Sequence, residues 1–169
     1  GRMYAFEWDR ASDLIVRSAA CTHILGLSRE PTETTCHQMM DSVHPDDRAK
    51  VDPATRSCSP ENPIYRVQYR VLREDGPVVW LEKNGYAFFD ANGGMERTIG
   101  MNVDITERKK NEEALRESER QFRMLSQNSP DIIYIWDVGE QRVAYLNRED
   151  FLGYSRDEIE ASASILSAL

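Results

Sequence analysis

Between Thr98 and Arg123 the chain reads TIGMNVDITERKKNEEALRESERQFR, and its character changes halfway. Residues 99–103 alternate large apolar side chains with Gly100 and Asn102, which is the pattern of a half-buried β-strand. From Glu107 to Arg123 there is neither Gly nor Pro, and most residues favour a helix. Thr106 stands where a helix N-cap belongs. The sequence therefore predicts a strand that leads through Asp104, Ile105 and Thr106 into a long charged helix.

The predicted helix carries few apolar side chains. Leu115, Phe122 and Leu125 follow a spacing that suits the a and d positions of a heptad. Such a thin seam is marginal alone, so it predicts that the helix pairs with a second copy of the chain. The same residues also allow a solvated linker helix that pairs with nothing.

The composition argues against several classes of function. The chain has 169 residues and a formal net charge of -8, which does not suit a protein that binds nucleic acid or an anionic membrane. It has no apolar run long enough to span a bilayer and no signal peptide. Its three cysteines lack the spacing of a zinc site or a disulfide framework. We therefore expect a cytoplasmic region without direct membrane contact, within a parent protein that could be anchored elsewhere.

The residues before this stretch predict two strands, several short helices and then three longer strands. Strands are expected over Met3–Asp9, Asp13–Ala19, Tyr65–Val71, Val78–Phe89 and Ile99–Val103. Short helices are expected over Ala20–Leu25 and Thr34–Val43, and from Pro45 and again from Pro53. Asp75-Gly76 and Asn92-Gly93 are hairpin signals. The inner face of the fourth strand stays open, because Trp80, Tyr86 and Phe88 compete with Leu81 and Phe89. This order predicts an α+β fold with one antiparallel sheet.

The opening of the chain recurs after the helix. Phe6-Glu7-Trp8-Asp9 is echoed by Tyr134-Ile135-Trp136-Asp137, and Ile24–Glu30 is echoed by Phe151–Glu158. The offsets, 136 − 8 = 128 and 153 − 26 = 127, agree within one deletion. The chain is therefore predicted to hold one complete unit and the start of a second. The second unit is too short to bury a core of its own, so we expect it to pack on another surface, for example in a dimer.

The closing strand, the Asp-Ile-Thr run, the charged helix and the His44–Arg48 run (HPDDR) together resemble a PAS domain followed by its signalling linker. The resemblance covers residues 3–109 and, as an N-terminal part, residues 119–169. It implies a five-stranded antiparallel sheet in the order 2-1-5-4-3, with short helices on one face and a long linker helix after it. It also implies a complete PAS domain over residues 1–106, a linker helix over 107–127 and a truncated second PAS domain over 128–169.

Tandem PAS units are usual in bacterial sensor histidine kinases and diguanylate cyclases, so the resemblance implies a sensory module without a catalytic residue of its own. A change in the sheet would pass through Asp104, Ile105 and Thr106 to the helix and on to an output domain downstream. A homodimer would form through the helix and the truncated second unit. The alternative is an interaction scaffold that dimerises and senses nothing.

The interior of such a domain can enclose a small cavity. Its candidate walls are aromatic and methionine side chains: Phe6, Trp8, Met39, Met40, Tyr69 and Met101. These residue types suit a small apolar ligand, and they equally suit a filled core.

No cofactor is evident from the sequence. Flavin-binding relatives carry Asn-Cys-Arg-Phe-Leu-Gln where this chain has Glu33–Gln38, which argues against flavin. Haem-binding relatives place a histidine after the HPDD turn, and residues 48–60 contain none. His44 with Asp46 and Asp47 has the chemistry of a weak metal site, but Pro and acids at a helix start predict a capped turn instead. We expect no metal and no flavin or haem.

Overall fold

The computed structural model describes residues 2–27, 33–140, 142–148, 150–151 and 154–155. The chain divides into two units, Gly1–Lys110 and Asn111–Leu169. None of the helices in these described ranges is long and apolar enough to cross a membrane.

One antiparallel sheet organises the first unit. Its strands are β1 (Met3–Asp9), β2 (Leu14–Arg17), β3 (Glu33–Thr35), β4 (Ile64–Leu72), β5 (Val78–Phe89) and β6 (Met95–Asp104). They stand in the order β3-β2-β1-β6-β5-β4, so the first and last long strands of the unit are neighbours. The prediction of an α+β fold with one antiparallel sheet, and the predicted order of its five main strands, are confirmed. The edge strand β3 is an addition.

Strand β3 lies where the sequence predicts the start of a helix. Thr35 is extended, and its side chain accepts a hydrogen bond from the backbone N–H of Gln38 while the Gln38 side chain accepts one from the Thr35 N–H. This capping box starts the helix at Cys36 and leaves the residues before it extended, where they pair with β2. The prediction of a helix from Thr34 is therefore wrong by two residues.

Three helices of the first unit follow β2 and β3: α1 (Cys21–Leu25), α2 (Cys36–Ser42) and α3 (Pro45–Arg56). Helix α3 runs through residue 53 without a break, so the prediction of a separate helix from Pro53 is wrong. Tertiary packing outweighs the lost backbone donor, because Val51 is 2% exposed and α3 packs against β4.

The inner face of the sheet contains two polar residues of β6 rather than its large apolar ones. Thr98 and Asn102 are buried, whereas Ile99 and Met101 lie on the outer face. The Tyr65 hydroxyl reaches Thr98 Oγ1 at 3.3 Å, and the Tyr69 hydroxyl donates to Asn102 Oδ1 at 3.0 Å. The buried side chains of Thr98 and Asn102 thus each have a hydrogen-bond partner across the sheet.

The sequence left the inner face of β5 open, and the structure decides it. Val79, Leu81, Lys83 and Ala87 point inward and are buried, and Trp80 and Tyr86 point outward. Leu81 is completely buried in the main core, which also contains Tyr4, Ile24 and Val43.

Helix α4 (Thr106–Gln127) spans the boundary between the units. The second unit adds the hairpin β7 (Tyr134–Asp137) and β8 (Arg142–Leu146), then the short strands β9 (Asp150–Phe151) and β10 (Tyr154–Ser155). The hairpin packs against the last turns of α4, since the Tyr145 and Phe122 rings lie 5.3 Å apart and the Tyr145 hydroxyl bonds to Ser126. Much of the second sequence echo, Phe151–Glu158, lies outside the described residues.

Candidate functional site

A cavity of about 600 Å³ lies in the first unit between the sheet and helices α2 and α3. That volume is within the range of sites that hold small molecules. Much of its lining is apolar, and the charged side chains among its described lining residues are Arg10, Asp13 and Lys83. The apolar part of the lining includes Trp8, Ile15, Met39, Met40, Val51 and Phe89.

The structure places three of the six predicted wall residues, Trp8, Met39 and Met40, around this cavity. Tyr69 lies deeper in the core, where it bonds to Asn102. Met101 is on the opposite face of the sheet and is 42% exposed, because β6 has the reverse phase from the one that its apolar residues suggest.

A row of four residues, here called the floor, crosses the sheet beneath the ammonium of Lys83, which itself lines the cavity. Phe6 pairs with Gly100, Gly100 with Gly85, and Gly85 with Tyr65. A Cβ atom on Gly100 would collide with the backbone carbonyl of Asn84, and one on Gly85 would collide with the Tyr65 ring. The two glycines therefore leave room for the two aromatic rings to lie close to the sheet.

Lys83 stands over this floor. Its Nζ is 4.5 Å from the centre of the Phe6 ring and 5.4 Å from that of Tyr65, which are cation–π distances. The residue is 8% exposed, and burial lowers the pKa of its ammonium from 10.5 to about 8, while the nearby Cys36 thiol opposes this shift. A lysine at this depth is unusual, since buried charges are normally paired.

The Asp104–Thr106 run ties β5 to the start of α4. The Ile105 N–H donates to the Trp80 carbonyl at 2.9 Å, and Thr106 Oγ1 accepts from the Trp80 N–H at 3.0 Å. Asp104 Oδ1 accepts from the Thr106 N–H at 3.0 Å, and Ile105 is buried. Thr106 is therefore the first helical residue and not the N-cap, and its hydroxyl bonds to the sheet instead of the helix.

Two side chains on the outer face of β5, Glu82 and Trp80, also contact the first turns of α4. Glu82 Oε2 accepts from Arg66 at 2.6 Å, Gln68 at 2.7 Å and Arg108 of α4 at 3.2 Å. Its hydrogen bonds, that from Arg66 above all, lower the pKa of Glu82 to about 2.

Trp80 lies beside this carboxylate cluster. Two cations lie within cation–π distance of its ring, Arg70 at 5.5 Å and Lys109 of α4 at 5.4 Å. Because both β5 side chains contact α4, strand and helix are joined by side-chain contacts as well as by the backbone.

The His44–Arg48 run forms a structural lock between α3 and β4. Asp47 is completely buried, and its carboxylate accepts from the Arg70 backbone N–H at 2.9 Å, from Arg70 Nε at 2.8 Å and from Lys50 Nζ at 2.8 Å. These bonds, led by that from the Arg70 side chain, hold the pKa of Asp47 well below its usual range. Among the described residues no group of three or more His, Cys, Asp or Glu is placed to hold a metal ion.

A family model described as the PAS fold matches residues 14–102, which is more than half of the chain. The chain belongs to the PAS family. Its first unit is therefore a PAS sensory domain, and the cavity, the Asp104–Thr106 junction and the HPDD lock are parts of that domain.

Two solved PAS structures illustrate the likeness. A sensory box histidine kinase/response regulator from Burkholderia thailandensis is 30% identical, with a TM-score of 0.64 over 73% of this chain and 92% of that one. The N-terminal domain of a diguanylate cyclase with a PAS/PAC sensor from Marinobacter aquaeolei shares the fold at 19% identity, with a TM-score of 0.56 over 63% of this chain and 98% of that one.

Two curated relatives are far longer than the matched region. The two-component sensor PprA of Pseudomonas aeruginosa is 26% identical over 78% of this chain and only 14% of its own length. An uncharacterized protein of Sinorhizobium fredii is 31% identical over 59% of this chain and 12% of its own length. The chain thus spans about an eighth of the curated relatives that it matches.

Two functional candidates of this PAS domain, Lys83 and Glu82, were not predicted from the sequence. They are adjacent on β5, in a run where charged and apolar residues mix, so neither stands out as a site. The signal that could have found Lys83 is its phase: it lies two residues from Leu81 and two from Gly85, and all three share one face.

Proposed function

We propose that the first unit is the signal-receiving PAS domain of a bacterial signal-transduction protein. A small ligand in the cavity alters β5, and the Asp104–Thr106 junction passes the change to α4 and on to an output domain of the sensor-kinase or diguanylate-cyclase type. The observation that supports this proposal best is the position of β5 between the two sites. Lys83 on its inner face lines the cavity, and its neighbour Glu82 on the outer face bonds to α4.

The junction suits such a transfer because it is short and has few degrees of freedom. Two hydrogen bonds join Trp80 to Ile105 and Thr106, and Arg108 and Lys109 contact the side chains of Glu82 and Trp80. A displacement of β5 by even a fraction of an ångström must therefore either move the first turn of α4 or break these bonds.

The rest of the chain has a place in the same scheme. In this scheme residues 1–106 are the signal-receiving PAS domain, 107–127 the linker helix, and 128–169 belong to a second PAS domain. Dimerisation would use Leu115, Phe122 and Leu125, which are 63%, 43% and 70% exposed along α4. Any catalysis belongs to the output domain. A cytoplasmic location follows from this role and is part of the proposal.

The proposal is tested without knowing the natural ligand by filling the cavity with a larger side chain. In Met39→Trp, we expect amide hydrogen exchange to change at residues 106–110 of α4 relative to the unmodified chain. The change should disappear when Thr106→Val is added, because the acceptor for the Trp80 N–H is lost. Thr106→Ser keeps that acceptor and should keep the response.

Asp104→Ala should likewise uncouple α4 while leaving the first unit nearly as stable, as circular dichroism would show. A loss of folding in Asp104→Ala would count against a coupling role. Equal exchange at residues 106–110 in Met39→Trp and the unmodified chain would overturn the proposed function and favour the scaffold that senses nothing.

A further inference from the structure

We infer that the cavity takes an organic monocarboxylate with an apolar body, and that the Lys83 ammonium is the group that holds the carboxylate. This inference rests on the proposed function, because it names the chemistry of the ligand that the same cavity would receive.

Within the described residues Lys83 has no countercharge. It is 8% exposed, and within the described part of the chain no carboxylate forms an ion pair with it. Asp13, the carboxylate among the described lining residues, accepts a hydrogen bond from Trp8 Nε1 at 3.1 Å. A buried ammonium without a partner costs stability, so a fold that keeps one in a cavity wall has a use for it.

The aromatic floor stabilises the charged form of the Lys83 ammonium. The rings of Phe6 and Tyr65, made possible by Gly100 and Gly85, favour the charged form through their electron-rich faces. Aromatic faces carry no net charge and accept no strong hydrogen bond from the three ammonium donors. The two rings thus stabilise the charge of the ammonium but leave its N–H donors available to an anion in the cavity.

The charge and polarity of the described lining favour a small anion with an apolar body. Among the lining residues that the structure describes, two cations, Lys83 and the exposed Arg10, stand against one carboxylate, Asp13. A phosphate would need a denser set of donors, such as an arginine fork or a row of backbone N–H groups. Trp8, Met39 and Met40 offer an apolar surface for the rest of the molecule. A monocarboxylate with a hydrocarbon or aromatic body fits all three features.

The test uses two compounds of nearly equal shape, 3-phenylpropionate and its neutral amide, 3-phenylpropionamide. Each is titrated into the full chain and followed by amide chemical shifts. We expect the acid to bind at least about tenfold more tightly than the amide, as a charged hydrogen bond requires. Lys83→Met should remove that preference, and Lys83→Arg should keep most of it. Lys110→Met, which removes an exposed lysine of α4, should change nothing.

The inference would be overturned if the acid and the amide bind equally, or if Lys83→Met binds the acid as tightly as the unmodified chain does. It would also be overturned if neither compound binds in the millimolar range. Lys83→Gln is a second neutral variant, and circular dichroism checks that each variant is folded. The result is separable from the test of the proposed function. Acid-selective binding without the α4 response of Met39→Trp would contradict only the proposed function, and that response without acid selectivity would contradict only the monocarboxylate site.

Discussion

Replacing Lys83 by Met should stabilise the first unit at pH 7. The pKa of Lys83 falls from 10.5 to about 8 because the ammonium is buried. A tenfold change in protonation corresponds to about 1.4 kcal/mol, so the charged form is destabilised by about 3 kcal/mol in the folded state. The cation–π contacts with the Phe6 and Tyr65 rings offset about 1 kcal/mol of this destabilisation. The expected net gain of Lys83→Met is on the order of 2 kcal/mol, because Met fills a similar space without a charge.

The pH dependence of this gain has a definite sign. The folded-state pKa lies below the unfolded one, so the folded state binds fewer protons between about pH 8 and pH 10.5. The penalty is fully present below pH 8 and disappears as the pH rises through that window. The stability difference between Lys83→Met and the unmodified chain should therefore shrink toward pH 10.5.

Urea unfolding at pH 7 and pH 10 measures both effects. Trp136→Phe in both chains restricts the fluorescence to Trp8 and Trp80, so that the signal reports the first unit. Cys36→Ser in both chains removes the thiol that faces Lys83, and the Tyr65 hydroxyl, whose pKa burial raises to about 12, stays protonated throughout. A loss of stability in Lys83→Met at pH 7, or a gain that is unchanged at pH 10, would refute the reasoning that Lys83 is a desolvated cation without a countercharge.

Three further predictions concern the core, the floor and the helix. Asp47→Asn should cost about 3 kcal/mol in urea unfolding at pH 7, since it unbalances a buried ion pair with Arg70. The difference should begin to shrink as the pH falls below the ordinary pKa of 3.8 and should go on shrinking toward the much lower folded-state pKa, so a difference at pH 2.5 as large as that at pH 7 would contradict this. Gly100→Ala should cost about 1–3 kcal/mol, because its Cβ meets backbone, whereas Gly139→Ala should be nearly neutral in the same assay. Leu125→Glu should turn a dimer into a monomer in sedimentation experiments, because it places a charge in the predicted helix seam. If the unmodified chain is itself a monomer, the predicted dimerisation through this seam is wrong.

The local signals in the sequence were sufficient for the outline of the fold. The hairpin turns at Asp75-Gly76 and Asn92-Gly93 form as predicted, and Gly76 and Gly93 take the positive φ angles, 101° and 80°, that such turns require. The five main strands and the long helix after Asp104 also follow from patterns within a few residues, whereas the order of the strands in the sheet came from the resemblance to PAS domains. These features depend on backbone preference and on turn and cap chemistry, which act over short distances.

The site was predicted only in part. Trp8, Met39 and Met40 do line the cavity, since aromatic and methionine side chains near the chain's start and on α2 converge there. Met101 does not line the cavity, whereas Lys83 does. The reason is that the alternation along each strand turns Met101 of β6 outward and Lys83 of β5 inward. That phase depends on partners far along the chain: Tyr65 and Tyr69 of β4 satisfy Thr98 and Asn102 and so turn those polar residues inward.

By itself, then, the sequence determined the kind of elements, their order and the position of the strand-to-helix junction. Only the tertiary structure decided which side of β5 and β6 faces the core, and that the Thr106 hydroxyl bonds to Trp80 rather than capping its own helix. The physical reason is that periodicity reports which residues share a face, whereas the choice of the buried face depends on whether distant groups can satisfy its polar atoms. A buried lysine over two aromatic rings is the product of that choice.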